Sequence, residues 1–119
     1  MADNIIKSKS FSFALRIVKL HQFLSSEKKE FVLSKQLLRS GTSIGALVRE
    51  SEHAESKLDF IHKLAIAQKE ANESDYWLEL LFQSEYLSES QFQSLNADIV
   101  EINKILASII ISTKNNLKR

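Results

Sequence analysis

Apolar side chains recur at helical spacing in four stretches of this chain, and short polar runs separate the stretches. In the first stretch they fall three or four residues apart, which places them on one face of a helix: Phe13, Ile17, Leu20 and Leu24. The polar residues 25–28 then interrupt the pattern. The spacing predicts a first helix over about residues 10–24 and a loop after it.

A second stripe follows, and small residues crowd its middle. Its main positions are again three or four residues apart: Leu33, Leu37, Ser40, Ile44 and Leu47. Gly41 and Gly45 lie in this stretch, although glycine inside a helix costs about 1 kcal/mol relative to alanine. We expect close approach of a neighbouring helix to compensate, and a ligand site lined by bare backbone is the alternative. The predicted helix spans about residues 29–51.

Two capping boxes mark the starts of a third and a fourth helix. Asp59 follows Ser56 at an interval of three residues, and Gln91 follows Ser88 in the same way, so each pair can satisfy backbone N–H groups of a first turn. Apolar stripes follow both boxes, and the last contains the most regular heptad of the chain: Leu95, Ile99, Ile102, Leu106 and Ile109. The predicted helices span about residues 57–84 and 89–115.

Four helices joined by loops of about four or five residues favour antiparallel neighbours. The sequence therefore predicts an all-α protein, with one domain over residues 1–119 that folds as an up-down-up-down antiparallel four-helix bundle. The composition agrees, because the chain has no proline and only two glycines, fewer than a β-rich domain of this size needs for its turns.

Composition also excludes several classes of site. The chain has no cysteine, so disulfides and thiolate metal ligands are excluded. No apolar run approaches the roughly 18 residues that a membrane span needs, and the first residues lack the apolar core of a signal peptide. We therefore expect a cytoplasmic protein with no membrane partner.

Several aromatic residues lie off the predicted core stripes. Tyr76, Trp77 and Tyr86 cluster on or just past the third helix, and Phe11 lies on the first. A narrow bundle core cannot accept side chains from so many angles, and aromatic residues outside the core are typical of interfaces. These four residues are the predicted interface of a homo-oligomer.

Charge is unevenly distributed although the net charge is only +1. Residues 1–49 carry nine Lys and Arg against three acids, residues 50–103 carry three Lys against twelve acids, and residues 104–119 carry four basic residues and no acid. One interpretation is an anionic partner for the basic part. The other is that basic helices lie beside acidic ones, within the bundle or between subunits.

An anionic partner of RNA or DNA would need Lys and Arg side chains that neutralise phosphates. The candidates are Arg16 and Lys19 on the first predicted helix and Lys35, Arg39 and Arg49 on the second. Arg16 and Lys19 share one helix face, as do Lys35 and Arg39. The alternative is that they are solvated or pair with acids across helices, at Glu50, Glu70 or Glu73. Asp75, on the apolar row of the third helix, is predicted to pair with Arg16 or Arg39.

Catalytic and metal chemistry have less support in the sequence. An acid precedes a histidine by three residues twice, at Glu50 with His53 and at Asp59 with His62, a spacing that di-metal bundles use. Both pairs fall at the polar junction between the second and third helices, where surface or capping roles are expected. No nucleophile elbow or phosphate-binding glycine loop is present. We predict no cofactor and no enzymatic activity.

Residues 33–50, LSKQLLRSGTSIGALVRE, resemble the signature of the four helix bundle protein family, which includes proteins encoded by intervening sequences of 23S ribosomal RNA genes. Residues 11–20 and 60–81 are similar to the family's first and third helices, so the resemblance covers about residues 10–110. Gly45 and Leu47 stand where many members have a proline and an asparagine.

The resemblance implies a bundle that assembles into a ring, a homopentamer in comparable members. A related branch comprises accessory proteins of diversity-generating retroelements, which are basic pentamers that bind nucleic acid and a reverse transcriptase. The present chain is nearly neutral by comparison. The resemblance thus favours an oligomeric scaffold that binds RNA or DNA, and a protein–protein interaction platform is the alternative.

Overall fold

The computed structural model describes residues 2–118 of the chain, with side chains described from residue 5 onward. All of its regular secondary structure is helical within that part. The four helices are α1 (Ala2–Ser26), α2 (Val32–Ser51), α3 (Lys57–Gln83) and α4 (Glu89–Leu117). No helix among them is long and apolar enough to cross a membrane.

Helix α1 begins about two turns before the residue predicted from the sequence. The stripe extends backwards because Ile6 lies seven residues before Phe13 and is only 2% exposed. Ser10 is also fully buried, and its hydroxyl donates to the carbonyl oxygen of Lys7 at 3.3 Å. Serine counts as polar in a pattern of apolar spacing even when it is buried and bonds to its own helix. Ser10 therefore interrupts the pattern, which explains why the first two turns of α1 were not predicted.

Side chains cap three of the helices. Ser56 accepts a hydrogen bond from the backbone N–H of Asp59 at 3.0 Å, and Ser88 and Gln91 form the reciprocal capping box expected of them. Helix α2 starts three residues later than predicted because the Glu30 carboxylate caps it. This carboxylate accepts hydrogen bonds from three successive backbone N–H groups at 2.7–3.1 Å, those of Val32, Leu33 and Ser34.

Each helix packs against the two that are its neighbours around the bundle, so α1 contacts α2 and α4, and α3 contacts the same two. The contacts between neighbours run in opposite directions along the chain. Ile17 lies at Gly41 whereas Ser10 lies at Gly45, and Lys9 pairs with Glu101. The all-α, up-down-up-down antiparallel four-helix bundle predicted from the sequence is confirmed.

The core follows the predicted stripes through all four helices. Its largest fully buried side chains include Phe13, Ile17, Leu24, Leu37, Ile44, Leu64, Leu78, Leu81, Ile99, Ile102 and Leu106. Burying a side chain of this size stabilises the fold by roughly 1.5–3 kcal/mol. Phe82 and Phe92 stack with ring centroids 4.8 Å apart and help to hold α3 against α4.

The small residues of α2 allow neighbouring helices to pack closely against it, as the two glycines inside this helix predict. A Cβ atom built on Gly41 would lie 2.9 Å from Cγ1 of Ile17, closer than side chains normally approach. On the other side of α2, the Ser74 hydroxyl of α3 donates to the Ser40 hydroxyl at 2.9 Å, and both residues are fully buried. Close helix approach is therefore confirmed at Gly41.

Candidate interaction surfaces

Arg39 contacts the acidic face of α3. Its guanidinium bonds to both carboxylate oxygens of Glu70 at 3.2 Å and also to Glu73, whose carboxylate accepts a hydrogen bond from the Trp77 indole at 3.2 Å. The pKa of Arg39 is raised, chiefly by the hydrogen bond with Glu70 and then by that with Glu73. The predicted alternative of cross-helix pairing with Glu70 and Glu73 is what the structure shows for this residue.

The predicted pairing of Asp75 with Arg16 or Arg39 is wrong. The Asp75 carboxylate instead accepts a hydrogen bond from the side-chain amide of Asn96 on α4, at 2.5 Å. The reason is the orientation of α3, whose Glu70 and Glu73 face α2 whereas Asp75 faces α4. A neutral amide therefore satisfies this half-buried acid.

The other four basic candidates have different surroundings. Arg16 bonds to Asp98 at 2.5 Å and to the Ser94 hydroxyl at 2.8 Å, so it faces α4. The Arg49 guanidinium lies 5.2 Å from the ring centroid of Phe11, a cation–π distance. Lys19 and Lys35 are exposed and form no ion pair with the residues that the structure describes. Arg16 bonds to α4 whereas Arg39 bonds to α3, so these two candidates do not share one patch.

The predicted aromatic interface divides into exposed and half-buried members. Phe11 is 48% exposed and Tyr76 is 58% exposed. Trp77 and Tyr86 are half-buried and pack against the core, and the Trp77 ring meets that of Tyr76 edge-on at 5.0 Å. Phe11 and Tyr76 are therefore the two members of this set that a partner could contact most readily.

Sequence reasoning missed two further exposed residues beside Phe11. Leu15 is 49% exposed and Val18 is 37% exposed. Phe11, Leu15 and Val18 are spaced by four and three residues and form a second apolar row, here called the α1 outer stripe. This spacing was available in the sequence as a row parallel to the core stripe.

A shallow surface groove runs between α3 and α4 and continues along the outside of α4. Its two adjoining parts have volumes of about 500 and about 600 Å³. We call it the α3–α4 groove, and its lining is amide, hydroxyl, ammonium and apolar: Gln68, Asn72, Val100, Asn103, Lys104, Ala107, Ser108, Ile111, Ser112 and Asn115. None of these lining residues is acidic.

The amides in the middle of this groove are fixed by one another. The Asn103 side-chain N–H donates to Asn72 Oδ1 at 3.2 Å. Asn103 Oδ1 is itself buried and has no hydrogen-bond partner among the described residues. A buried polar atom without a partner is uncommon in native proteins, because losing water without a replacement costs free energy.

A second concavity lies where α2 ends and α3 begins. It has a volume of about 460 Å³, with apolar side chains that include Ile6, Val48 and Phe60. A salt bridge from Lys7 to Glu52 at 3.2 Å lies at its edge. This pocket is the unfilled end of the bundle core.

The histidines of the two acid–histidine pairs belong to no group of potential metal ligands among the described residues. His53 and His62 are exposed, and the Asp59 carboxylate accepts the backbone N–H of Glu55 at 3.1 Å. Within residues 2–118, no three His, Asp or Glu side chains are grouped so that they could hold a metal ion. Asp59 thus serves the turn before α3.

Comparison with known proteins places this arrangement in a family. The family described as 23S rRNA-intervening sequence protein matches residues 2–108. The chain is also similar to a crystal structure from Bacteroides thetaiotaomicron VPI-5482, a protein of unknown function from the S23 ribosomal protein family. The two share 62% sequence identity and a TM-score of 0.91, over 92% of this chain and 98% of that one. No curated protein matches the chain. The chain belongs to the 23S rRNA-intervening sequence protein family.

Proposed function

We propose that this protein is a cytoplasmic homo-oligomeric scaffold that acts by binding and not by catalysis. The observation that carries the proposal is the α1 outer stripe, where three large apolar side chains share one exposed row. The family resemblance favours a pentamer as the assembled form.

The α1 outer stripe has the character of an interface centre. Leu15 lies between Phe11 and Val18, and Arg49 from α2 covers one side of the Phe11 ring. Interfaces combine an apolar centre with a polar rim in this way, and arginine and aromatic residues are enriched in them. Burial of the row against a second copy would remove the exposed apolar area from water, at about 25 cal/mol per Å².

Light scattering coupled to size-exclusion chromatography tests the assembly. We expect a mass near five chains of 13.6 kDa each. Leu15→Asp should dissociate the oligomer, since a carboxylate would be buried without a partner in the contact. Leu58→Asp is the matched control, because Leu58 is 68% exposed at the start of α3, away from the stripe. A monomeric parent protein, or an oligomer unchanged by Leu15→Asp, would contradict the assignment.

Tyr76 on α3 provides a second contact to test in the same assay. It is the most exposed of the four predicted aromatic residues, at 58%. Tyr76→Ala should shift the oligomer toward smaller species if the ring contacts a neighbouring copy. Trp77→Ala is harder to interpret, because the Trp77 indole also bonds to Glu73 inside the protomer.

A second candidate function is binding of RNA or DNA by the oligomer. It is favoured by the exposed lysines that form no ion pair among the described residues, Lys19 and Lys35 included. Repetition of such groups around a ring would multiply weak contacts with a polyanion. Adding RNA to the chromatography at low and then moderate salt should give a heavier complex that salt dissolves. An oligomer that ignores RNA would favour the protein-binding platform instead.

A further inference from the structure

We infer that the homo-oligomer assembles head to tail, with the α1–α2 face of one copy bound to the α3–α4 face of the next. The α1–α2 face is the outer surface of those two helices and includes the α1 outer stripe. The α3–α4 face is the outer surface of the other two helices and includes the α3–α4 groove. The inference rests on the proposed homo-oligomeric scaffold and names the surface that the stripe contacts.

The two faces lie on opposite sides of the bundle, because α1 contacts α2 and α4, and α3 contacts the same two helices. A ring of more than two copies needs two different surfaces on each copy, since a surface that binds itself closes a dimer. The bundle is 53 Å long and 22 and 20 Å across. Each long face is therefore large enough to bury the roughly 800 Å² per partner of a standard interface. Copies placed side by side can each contact two neighbours.

The α3–α4 face is acidic at the end of the bundle that carries both the α1–α2 loop and the α3–α4 loop, here called the two-loop end. Residues 74–103 include this end of α3 and of α4, and they contain six acids and no base. Three of these acids are exposed and form no ion pair with a described residue: Glu79, Glu85 and Glu89. The protomer itself thus leaves negative charge on this face without a cationic partner.

The α1–α2 face is basic, chiefly at the same end. Residues 28–49 contain five bases and one acid, and that acid, Glu30, caps α2. Apart from Arg39, which bonds to α3, the bases form no ion pair with a described residue: Lys28, Lys29, Lys35 and Arg49. This face packed against itself would bring like charges together, whereas the α3–α4 face offers the opposite charge at the same end.

The register of the helices places opposite charges at the same height. The Ser74 hydroxyl of α3 bonds to the Ser40 hydroxyl of α2 at 2.9 Å. Lys35 lies five residues from Ser40 and Glu79 lies five residues from Ser74, both toward the two-loop end, so each is about 7.5 Å beyond that bond. Neighbours related by rotation about an axis parallel to the bundle keep the same height. Such a ring places Lys35 of one copy opposite Glu79 of the next.

These two residues also lie on the required faces. Lys35 is two heptads before Arg49, whose guanidinium lies over the Phe11 ring of the stripe, so both residues are on one side of α2. Glu79 is one heptad after Asn72, which lines the α3–α4 groove. The ammonium and the carboxylate are therefore presented to opposite neighbours.

The apolar side chains of the two faces match in height as well. Lys9 of α1 pairs with Glu101 of α4 at 2.9 Å. Phe11 lies two residues beyond Lys9 and Val100 lies one residue beyond Glu101, both toward the two-loop end. Val100 is 44% exposed and lines the α3–α4 groove. The Phe11 ring of one copy can therefore bind at Val100 in the groove of the next.

Leu15 and Tyr76 form the next matching level. The residue that precedes Tyr76 on α3 bonds to Asn96 on α4, and Tyr76 is 58% exposed. Asn96 lies four residues beyond Val100 and Leu15 lies four residues beyond Phe11, both toward the two-loop end, so each step is about 6 Å. The stripe and the α3–α4 face thus present large side chains at the same spacing.

Val100→Asp tests the assigned surface by light scattering coupled to size-exclusion chromatography. A carboxylate in the middle of the contact would be buried without a partner, so the apparent dissociation constant should rise at least about tenfold. Leu58→Asp is the matched control, because Leu58 is also exposed but lies about 27 Å from Tyr76 along α3, toward the other end of the bundle. It should assemble like the parent protein. Circular dichroism checks that each variant is folded.

An exchange of charges tests the contact between Lys35 and Glu79. Lys35→Glu and Glu79→Lys should each weaken assembly about tenfold, since attraction becomes repulsion at both contacts that a copy makes. Together in one chain they should restore assembly to within about threefold of the parent protein. Lys19→Glu is the control, with the same charge change at an exposed lysine that lines a cleft between α1 and α4. It should change assembly less than about twofold.

A mixture of Leu15→Asp with Val100→Asp shows whether the two surfaces bind each other. Each variant keeps the face that the other has lost, so one intact contact remains between them. Sedimentation equilibrium at about 1 mM chain detects even a contact with a Kd of about 1 mM. We expect a 1:1 complex near the mass of two 13.6 kDa chains, and each variant alone should stay monomeric.

The outcomes separate failure of the contact from failure of the scaffold. A monomeric parent protein would overturn the proposed function, and this contact with it. An oligomer that Leu15→Asp dissociates and Val100→Asp leaves intact would overturn the α3–α4 face as the second surface and keep the homo-oligomer. A mixture of the two variants that stays monomeric, or a double charge exchange no better than the single changes, would overturn the head-to-tail contact.

Discussion

Helix α1 contacts its two neighbours in different ways. Against α2 it packs closely around the two glycines, where Ile17 fills the space over Gly41 and Ser10 lies at Gly45. Against α4 the contact is less extensive, and the visible links are the salt bridges Arg16–Asp98 at 2.5 Å and Lys9–Glu101 at 2.9 Å. Clefts of about 220 and about 240 Å³ lie in the same seam.

The difference shows that one helix can contribute to stability in two ways, through close packing at the α1–α2 contact and through ion pairs at the α1–α4 contact. We call these two contacts the α1–α2 seam and the α1–α4 seam. Dispersion and apolar burial act only at contact distance, so the α1–α2 seam stabilises the bundle in proportion to how closely it packs. The charged side chains of the α1–α4 seam are 36–54% exposed, and ion pairs this exposed contribute little. The stability of the bundle should therefore respond strongly to changes on one side of α1 and weakly on the other.

Ile17→Ala should have the largest effect of the changes in these seams. Ile17 is fully buried and occupies the space that Gly41 leaves open, so truncation removes apolar burial and leaves a cavity. We expect a loss of about 2–5 kcal/mol in the free energy of unfolding. Urea denaturation measures it, with Gln22→Ala as the control at an exposed position of the same helix outside the α1 outer stripe. A loss below about 1 kcal/mol would mean that the seam is not close-packed.

Gly41→Ala should be the next largest, and it should be destabilising although alanine is the better helix former. The new Cβ would lie 2.9–3.3 Å from three atoms of Ile17, which cannot move freely because it is fully buried. Overpacking of this kind costs about 1–3 kcal/mol, more than the roughly 1 kcal/mol gained in helix propensity.

The Ile17→Ala, Gly41→Ala double mutant tests the cause of that loss. Removing both γ carbons of Ile17 makes room for the added methyl group, so the two changes should be less destabilising together than their sum by at least about 1 kcal/mol. If the two losses in the free energy of unfolding simply added, with the dependence on urea concentration unchanged, the strain at Gly41 would have another source.

Gly45→Ala should have the opposite sign, although Gly45 lies one turn further along the same helix. A Cβ atom there would lie 3.4 Å from the backbone oxygen of Ser10, an ordinary contact distance. The substitution should therefore stabilise the protein by up to about 1 kcal/mol, through helix propensity alone. Thermal unfolding of Gly41→Ala and Gly45→Ala side by side gives the comparison, and a melting temperature lowered equally by both would contradict it.

The close-packed seam could be predicted from the sequence, and the charged seam could not. Apolar spacing is local, so it gave the four helices and most of the core, and the small residues of α2 indicated close approach. The partners of Arg16, Arg39 and Asp75 depend on how far each helix is rotated about its axis, which no local pattern specifies. The start of α1 was missed because buried Ser10 interrupts the apolar signal.

Arg16→Gln should have the smallest effect, and its salt dependence identifies the interaction. Arg16 and Asp98 are 42% and 36% exposed in their side chains, so the loss should be about 0.2–1 kcal/mol. In about 1 M salt the Debye length falls to about 3 Å, so the charge contribution should largely vanish. Lys9→Gln, which removes the other bridge of the seam, should behave alike. Urea is the denaturant of choice because it is uncharged, so the ionic strength can be varied independently. A loss above about 2 kcal/mol in the free energy of unfolding that does not change with salt would show that the α1–α4 seam is as closely packed as the α1–α2 seam.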